Sequence, residues 1–359
     1  MIVLSAANSW DERRMADAQL ALALSRHTDV LYVDPPRSRH RARLGWVRPG
    51  LARLSPQGLP GISRAPVAAA NGRLIAHQVT RALRRFESRA TALIEADLLS
   101  PILGLTELGR TVYWAQDDFV AMAPLVGIDP RIFAANHERL VREASLIVAA
   151  NPAVAAGITA ATGRDVQLIA FGCDAALFNR TGPGSVGTSA GTAVLMGTLN
   201  ERLDLGLLTA VADTGATLRI IGPRSPRWDP PGLGGLISRA NVEWLGERPF
   251  ADLPDLLAGA SVGLVPYTHS AFNEASFPLK TLEYLAAGLP VVATDLPAIR
   301  WIGALDVHVA DDPALFAKTV RTLLDMTPAE AEQTRDRARA SAQQHTWAAR
   351  AERFAALLG

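Results

Sequence analysis

Of the 36 basic residues in the chain, two are lysines, Lys280 and Lys318, and the rest are arginines. Composition alone would have put an arginine at position 280. Lys280 stands three residues before Glu283 in the run SFPLKTLEYLAAGLPVVAT, residues 276–294. Ser276 reads as an N-cap, and Pro278 falls in the first helical turn, where no backbone N–H is needed. The free N–H groups of a first turn and the helix dipole attract an anion, and Lys280 adds a positive charge there. Glu283, one turn further in, can accept hydrogen bonds from a diol such as a ribose. The plain alternative is an i,i+3 ion pair between the two side chains. A second pair is Asp117 and Asp118 in VYWAQDDF. Either carboxylate can orient a hydroxyl, or it can cap a helix instead. Adjacent aspartates are not an Asp-x-Asp motif and the histidines show no ligand spacing, so no bound metal is expected. Asn8, Ser9 and Trp10 follow the first apolar run; Trp10 is suited to pack on a sugar or into the core.

These residues need a scaffold. IVLSA (2–6), a helical pattern in DERRMADAQLALALSR, and DVLYVDPP form a βαβ unit, which implies a parallel sheet with helices on its faces. Residues 37–72 lack periodicity and read as a long loop with short elements. A helix is expected from about Ile75 to Asp97, strands at 111–115 and 145–151, helices between and after them, and a closing strand at 166–172. The stretch 180–192 is made mostly of small turn residues and reads as a linker. The alternation then restarts, with strands at 193–197, 217–223, 241–246 and 261–267, the helix that begins near Lys280, and the strand PVVAT. In that helix Leu279, Leu282 and Leu285 or Ala286 make the core face, with Lys280, Glu283 and Tyr284 off it. Gly288 is the expected C′ residue. A helical pattern from about Pro328 to Leu358 ends the chain. The expected fold class is α/β, with two Rossmann-like parallel-sheet domains at 1–178 and 179–340. Ligands of such sheets sit beyond the carboxyl ends of the strands, and with two such domains the default site is the cleft they face.

The composition, 49% hydrophobic and 20% charged, is that of a soluble globular protein. No apolar run approaches the roughly 20 residues of a membrane span. The N-terminus has no basic segment before its apolar run, so a cytoplasmic location is expected. Cys173 stands alone, which excludes an internal disulfide. Residues 1–90 hold fifteen arginines and no lysine against six acids, a balance of 15 − 6 = +9 within a net +1 chain. Such a third is either a solvated arginine-rich surface or a face for an anionic partner, such as a membrane or a phosphorylated acceptor.

The run 276–294 is similar to the nucleotide-sugar signature of GT-B glycosyltransferases, glycosyltransferase family 4 in particular, in the form seen among bacterial surface-polysaccharide transferases. There a glutamate precedes Ser/Gly-Phe-Gly, and a second glutamate precedes Ala-x-Gly-x-Pro-Val-Val-Ala. The second falls on Glu283, and the resemblance implies that it holds ribose hydroxyls. The first falls on Ala275, with Glu274 one residue earlier. LIAFGCDAALF (168–178) resembles the passage into the family's second domain, and LMGTLNERLDLGLLTAVA resembles its glycine-arginine segment, so that Gly197 matches the glycine and Arg202 the arginine at the diphosphate. The family's following lysine has no counterpart among Leu203 and Asp204, and Lys280 is placed to supply that charge. Gly246 to Arg248 match the backbone that meets the base; a solvated charge is the alternative for Arg202 and for Arg248.

The resemblance implies a GT-B architecture whose C-terminal helix, 341–359, crosses back onto the first domain. It also implies a retaining transfer from a nucleotide diphospho-sugar to a hydroxyl. Arg202, Lys280 and the amides of Phe277–Leu279 would stabilise charge on the leaving diphosphate, Ser276 and Pro278 would belong to the same donor-binding set, and Asp117 or Asp118 would serve the acceptor. The donor is a substrate, and no cofactor is expected. The acceptor is a carbohydrate, a lipid-linked compound or a natural product, with peripheral membrane contact through the basic first domain and no nucleic acid.

Three other readings compete. A dinucleotide enzyme fails at SAANSWDERR, which has no glycine for the Gly-x-Gly-x-x-Gly turn. A sugar-nucleotide binding protein without catalysis is favoured by Ala275. An epimerase of the same fold would call for further acids in the cleft.

Overall fold

The structure is a computed structural model that describes residues 1–11, 15–38, 40–105, 107–179, 191–257 and 259–359, with Leu125 described by its backbone. The linker reading at 180–192 therefore lies outside the described residues over 180–190. The chain divides into two compact units, Met1–Phe171 with Trp347–Gly359, and Gly172–Thr346. The first unit holds strands β1 (Ile2–Ser5), β2 (Val30–Val33), β3 (Arg43–Arg48), β4 (Leu51–Ser55), β5 (Ala92–Glu95), β6 (Arg110–Ala115), β7 (Leu146–Ala149) and β8 (Gln167–Leu168). The second holds β9 (Thr192–Met196), β10 (Thr217–Ile221), β11 (Val242–Trp244), β12 (Ala260–Val265), β13 (Val291–Ala293) and β14 (Val307–Val309). The helices in chain order are α1 (Ala16–Leu24), α2 (Ala65–Arg85), α3 (Phe119–Val126), α4 (Pro130–Glu143), α5 (Pro152–Thr162), α6 (Ala175–Phe178), α7 (Leu205–Asp213) and α8 (Leu233–Ile237). They continue with α9 (Leu253–Leu257), α10 (Ala271–Glu274), α11 (Lys280–Ala287), α12 (Pro297–Ile302), α13 (Pro313–Leu324), α14 (Pro328–Gln343) and α15 (Trp347–Leu358).

The first sheet runs β3-β4-β2-β1-β5-β6-β7-β8 and the second β11-β10-β9-β12-β13-β14. All pairings are parallel except β3 with β4, a hairpin turned by Pro49 and Gly50. Strands such as Val30–Val33 and Ala193–Met196 are apolar and sealed throughout, as a sheet covered on both faces requires. In each sheet the order reverses beside the first strand. The next strands lie on one side of β1 or β9, and β5 or β12 lies on the other. Loops that leave such a pair diverge and open a crevice at their carboxyl ends.

Three expectations need correction. The helix expected from Ile75 to Asp97 is two elements. Helix α2 starts earlier, at Ala65, and stops at Arg85; Ala92–Glu95 is the buried strand β5. A short apolar run does not separate strand from helix by periodicity, and the helix stop is Glu87, a non-glycine at φ 50°, which carries no sequence signal. Within 37–72 the elements are a regular hairpin and the first turns of α2. The terminal pattern is also two helices, parted at Gln344–Thr346. There Cys173 N–H donates to His345 O at 2.8 Å, and α15 belongs to the first unit, where it packs on α1.

Candidate functional site

In the second unit the crevice is flanked by the loop from β9 to α7 and the loop from β12 to α11. Arg202 comes from the first loop and is gripped by the second. Its Nε donates to Asn273 Oδ1 at 2.8 Å and its Nη2 to Ser276 Oγ at 2.9 Å. Its guanidinium carbon lies 4.7 Å from the ring centre of Tyr267 and 4.8 Å from that of Phe272. Asn273 is fully buried, and its amide donates to Arg202 O, Thr268 O and Thr268 Oγ1, which locks the two loops together. The guanidinium is thus held by groups of the protein itself, and Nη1 has no partner among the described residues. Asp204 caps α7 through Gly206 and Leu207 N–H.

Helix α11 starts at Lys280, not at Ser276. Ser276 is no cap: its hydroxyl belongs to Arg202. The amides expected to line an anion site at Phe277 to Leu279 are reduced, because Pro278 has no N–H and that of Leu279 is given to Phe277 O at 2.8 Å. Phe277 is buried against Trp301. Attraction for an anion therefore rests on the side chains of Arg202 and Lys280. Lys280 Nζ lies 2.7 Å from Glu283 Oε2, the i,i+3 pair weighed from the sequence, with side chains 28% and 4% exposed. A cation at the first position of a helix opposes the dipole, and an ion pair this deep contributes little net stability. Lys280 retains two further N–H donors, and Glu283 Oε1 accepts no bond among the described residues.

Tyr284 was expected off the core face, yet it is fully buried. Residues Thr281–Ala287 are all buried because α14 and α6 cover the outer side of α11. The Tyr284 ring lies where a Cβ on Gly263 would stand, and its hydroxyl accepts the Met196 N–H at 2.6 Å, which ties α11 to β9 and β12. Gly288 caps the helix at φ 82°, as expected.

Gly197 ends β9 with open space at its Cβ position, and its carbonyl lies where a Cβ on Gly222 would stand. Gly246 accepts the Gly222 N–H at 2.8 Å. Trp244, 39% exposed, donates its indole N–H to Gly222 O. Arg248 is exposed and has no partner among the described residues. Glu274, the nearest carboxylate to the Ala275 position, is held by His269 Nδ1 at 2.7 Å, and His269 Nε2 meets Asp311 at 3.1 Å. Those two bonds raise the His269 pKa.

In the first unit Asp118 caps α3, accepting Ala121 N–H at 2.9 Å, while Asp117 is half-buried beside it. Trp10 is half-buried and packs edge-on against Tyr32, 5.1 Å between ring centres. Asp34 accepts Trp10 N–H at 2.9 Å and Arg53 Nε at 2.7 Å. Asn8 donates twice to the buried Asp17 Oδ2, and Gln116 Nε2 donates to Oδ1. Burial raises the Asp17 pKa. Beside it, burial and then the charge of Asp97 push Glu95 up to about 8, and burial lifts Asp97 to about 6. Among the described residues no group of three or more His, Cys, Asp or Glu has metal-ligand geometry.

In one unit Arg202 and Ser276 meet across two facing loops and Lys280 and Glu283 stand in the first turn of α11, into which the second loop leads, while Asp117 and Asp118 belong to the other unit. Sequence reasoning missed Asn273, Tyr267 and Phe272, which hold Arg202, and the sealed acids Asp17, Glu95 and Asp97. A clue was present in FNEASF, where Asn273 and Glu274 together interrupt an apolar stretch just before the helix.

Residues 196–326 match the family described as glycosyl transferases group 1. A Bacillus subtilis (strain 168) protein named as a teichuronic acid biosynthesis glycosyltransferase is 33% identical over 105 residues, which span 29% of this chain and 26% of that relative. Sucrose-phosphate synthase from Thermosynechococcus elongatus superposes with a TM-score of 0.73 at 15% identity, over 99% of this chain and 97% of that one. HepE from Anabaena, in complex with UDP and glucose, gives 0.67 at 17% identity over 99% and 98%. By its two sheets and its superposition on these structures the chain has the GT-B fold, and its 196–326 segment is similar to the glycosyl transferases group 1 family.

Proposed function

We propose that the protein is a retaining glycosyltransferase that moves a sugar from a nucleotide diphospho-sugar to a hydroxyl acceptor in polysaccharide, glycolipid or natural-product synthesis. The observation that carries this is Arg202, a guanidinium held by Asn273, Ser276 and two aromatic rings, at the switch point of a parallel sheet and inside the matched segment. The bond between the anomeric carbon and the donor's terminal phosphate oxygen breaks as the acceptor oxygen bonds that carbon from the same face. The departing diphosphate takes the acceptor proton. Arg202 and Lys280 meet the charge that grows on the diphosphate, as preorganised donors at a developing anion. Glu283 Oε1 takes the ribose hydroxyls, while the Gly246–Arg248 backbone and Trp244 meet the base. Because Asp118 is committed to capping α3, Asp117 is the carboxylate assigned to the acceptor. Ala275 carries no carboxylate and the neighbouring Glu274 is held by His269, so catalysis rests on the arginine and lysine.

Binding tests this most directly. UDP, GDP and dTDP are titrated to find the nucleotide held best. Glu283→Ala should weaken that nucleotide at least tenfold, while its 2′,3′-dideoxy analogue binds both proteins alike; unchanged nucleotide affinity removes the ribose assignment. Lys280→Ala should lower turnover more than affinity.

Peripheral attachment at the cytoplasmic membrane face is part of the same reading. No helix among the described residues is long and apolar enough to cross a bilayer. Helix α2 carries Arg73, Arg81, Arg84 and Arg85 without an acid, and Trp46, 54% exposed, leans on Phe86 just beyond it. Arginines beside an exposed indole suit an anionic interface. The protein should sediment with phosphatidylglycerol vesicles and not with phosphatidylcholine, and Trp46→Ala should reduce the bound fraction several-fold. Equal sedimentation with both lipids excludes the electrostatic face.

A further inference from the structure

A groove of about 700 Å³ lies in the first unit between the start of α2, the loop after β5 and the start of α4. That volume falls within the roughly 300–1,000 Å³ of small-molecule sites. Helix α2 follows β4 and the loop follows β5, so two of the three walls leave carboxyl ends of strands.

Its chemistry is two-sided. Arg64, Arg73, Arg131 and Arg139 line it against one acid, Asp129. Asp129 is used up by Arg131, at 2.6 Å. Arg139 donates to Leu103 O and lies 3.6 Å from Glu143. The side chains of Arg64 and Arg73 are exposed and make neither ion pair nor hydrogen bond among the described residues, so two positive charges are left uncompensated. The rest of the wall is apolar. Leu105 is 40% exposed, Ala69 and Ala135 are exposed, and Leu99 and Ile132 lie behind them. Water is a poor occupant for such a surface, and a plain anion would leave most of it wet. A phosphate monoester carries about −1.5 to −2 at neutral pH, which matches the two free guanidinium groups, and a hydrocarbon chain matches the wall.

We propose that this groove binds a phosphate-terminated hydrocarbon chain. Within the transferase reading, on which this assignment of substrate class rests, the acceptor is then a lipid phosphate: a phosphate O–H takes the place of the alcohol hydroxyl, its oxygen bonds the anomeric carbon and its proton goes to the departing diphosphate. Arg73 supports a lipid over a soluble ligand: it belongs to the groove and also opens the basic face of α2, so the phosphate end would sit beside a surface suited to an anionic bilayer.

The test uses the full chain and decyl phosphate below its micellar concentration, titrated calorimetrically beside inorganic phosphate and 1-decanol. Decyl phosphate should bind at least tenfold more tightly than either. The double variant Arg64→Ala/Arg73→Ala should lose at least tenfold, and so should Ala135→Trp, which fills the groove from an exposed position without touching the core. Equal binding of inorganic phosphate reduces the site to a cation cluster, and equal binding of decanol reduces it to an apolar trough; either overturns the proposal. Unchanged decyl phosphate affinity in both variants does so as well. Nucleotide affinity, measured on the same samples, separates the two readings. If it persists while decyl phosphate fails to bind, the groove assignment falls and the donor assignment stands.

Discussion

Arg202→Ala is expected to cut kcat/KM by about 10²–10³-fold with the best donor, the loss seen when one preorganised donor to a developing oxyanion is removed. The size follows from how the side chain is held. Two hydrogen bonds and two aromatic rings fix the guanidinium, so little conformational entropy is lost when a diphosphate arrives. Arg202→Lys keeps the charge but loses the fork and the stacking, and should fall between wild type and alanine. The alanine variant also strands Asn273 Oδ1 and Ser276 Oγ in a buried setting, at a cost of about 1–3 kcal/mol in stability. The rate must therefore be read on protein shown to be folded at the assay temperature. A binding comparison isolates the role: affinity for the nucleoside diphosphate should fall steeply and affinity for the bare nucleoside should not. Wild-type turnover in folded Arg202→Ala would end the diphosphate assignment, and so would an equal loss for nucleoside and diphosphate.

What the sequence disclosed and what it hid divide along physical lines. The alternating βα pattern and the Gly288 stop are local signals, and the two parallel sheets followed from them. Lys280 and Glu283 could be singled out by rarity and spacing, and the pair is present. Their surroundings could not be read. Tyr284 is buried because α14, some fifty residues later, covers a helix face that looks exposed in isolation. Asn273 is decisive because it bridges to Arg202, a contact across 71 positions. Strand β5 was hidden for another reason. In TALIEADLL the carboxylates argue against burial, yet Glu95 and Asp97 are both sealed. A buried acid is affordable only with backbone partners or a held proton, and neither shows in a sequence.

Those same acids carry the last prediction. Glu95 is fully buried. Its Oε2 accepts Ile102 N–H at 2.7 Å and Leu103 N–H at 3.0 Å, and its Oε1 has no hydrogen-bond partner among the described residues. Its pKa is raised from 4.5 to about 8, so at neutral pH the folded protein keeps a proton that the unfolded chain has released. Between those two values the folded state binds more protons, and stability of the first unit must fall as pH rises. Asp97, lifted from 3.8 to about 6, adds a loss of the same sign at lower pH. Above about pH 8 the folded carboxyl ionises too and the decline levels off. For Glu95 alone the loss is up to about 5 kcal/mol. Glu95→Gln keeps the shape and an oxygen for the two amides but cannot ionise. It should therefore be nearly neutral at pH 5 and more stable than wild type by several kcal/mol at pH 8. Two units need not unfold together, so the reading is local: amide hydrogen exchange in β5 and β6 at pH 5, 7 and 8.5, corrected for intrinsic rates. Wild-type protection should decline across that range, and that of Glu95→Gln should decline much less. Parallel declines would mean that Glu95 is ionised in the fold, with a partner for Oε1 that the sealed carboxyl does not show.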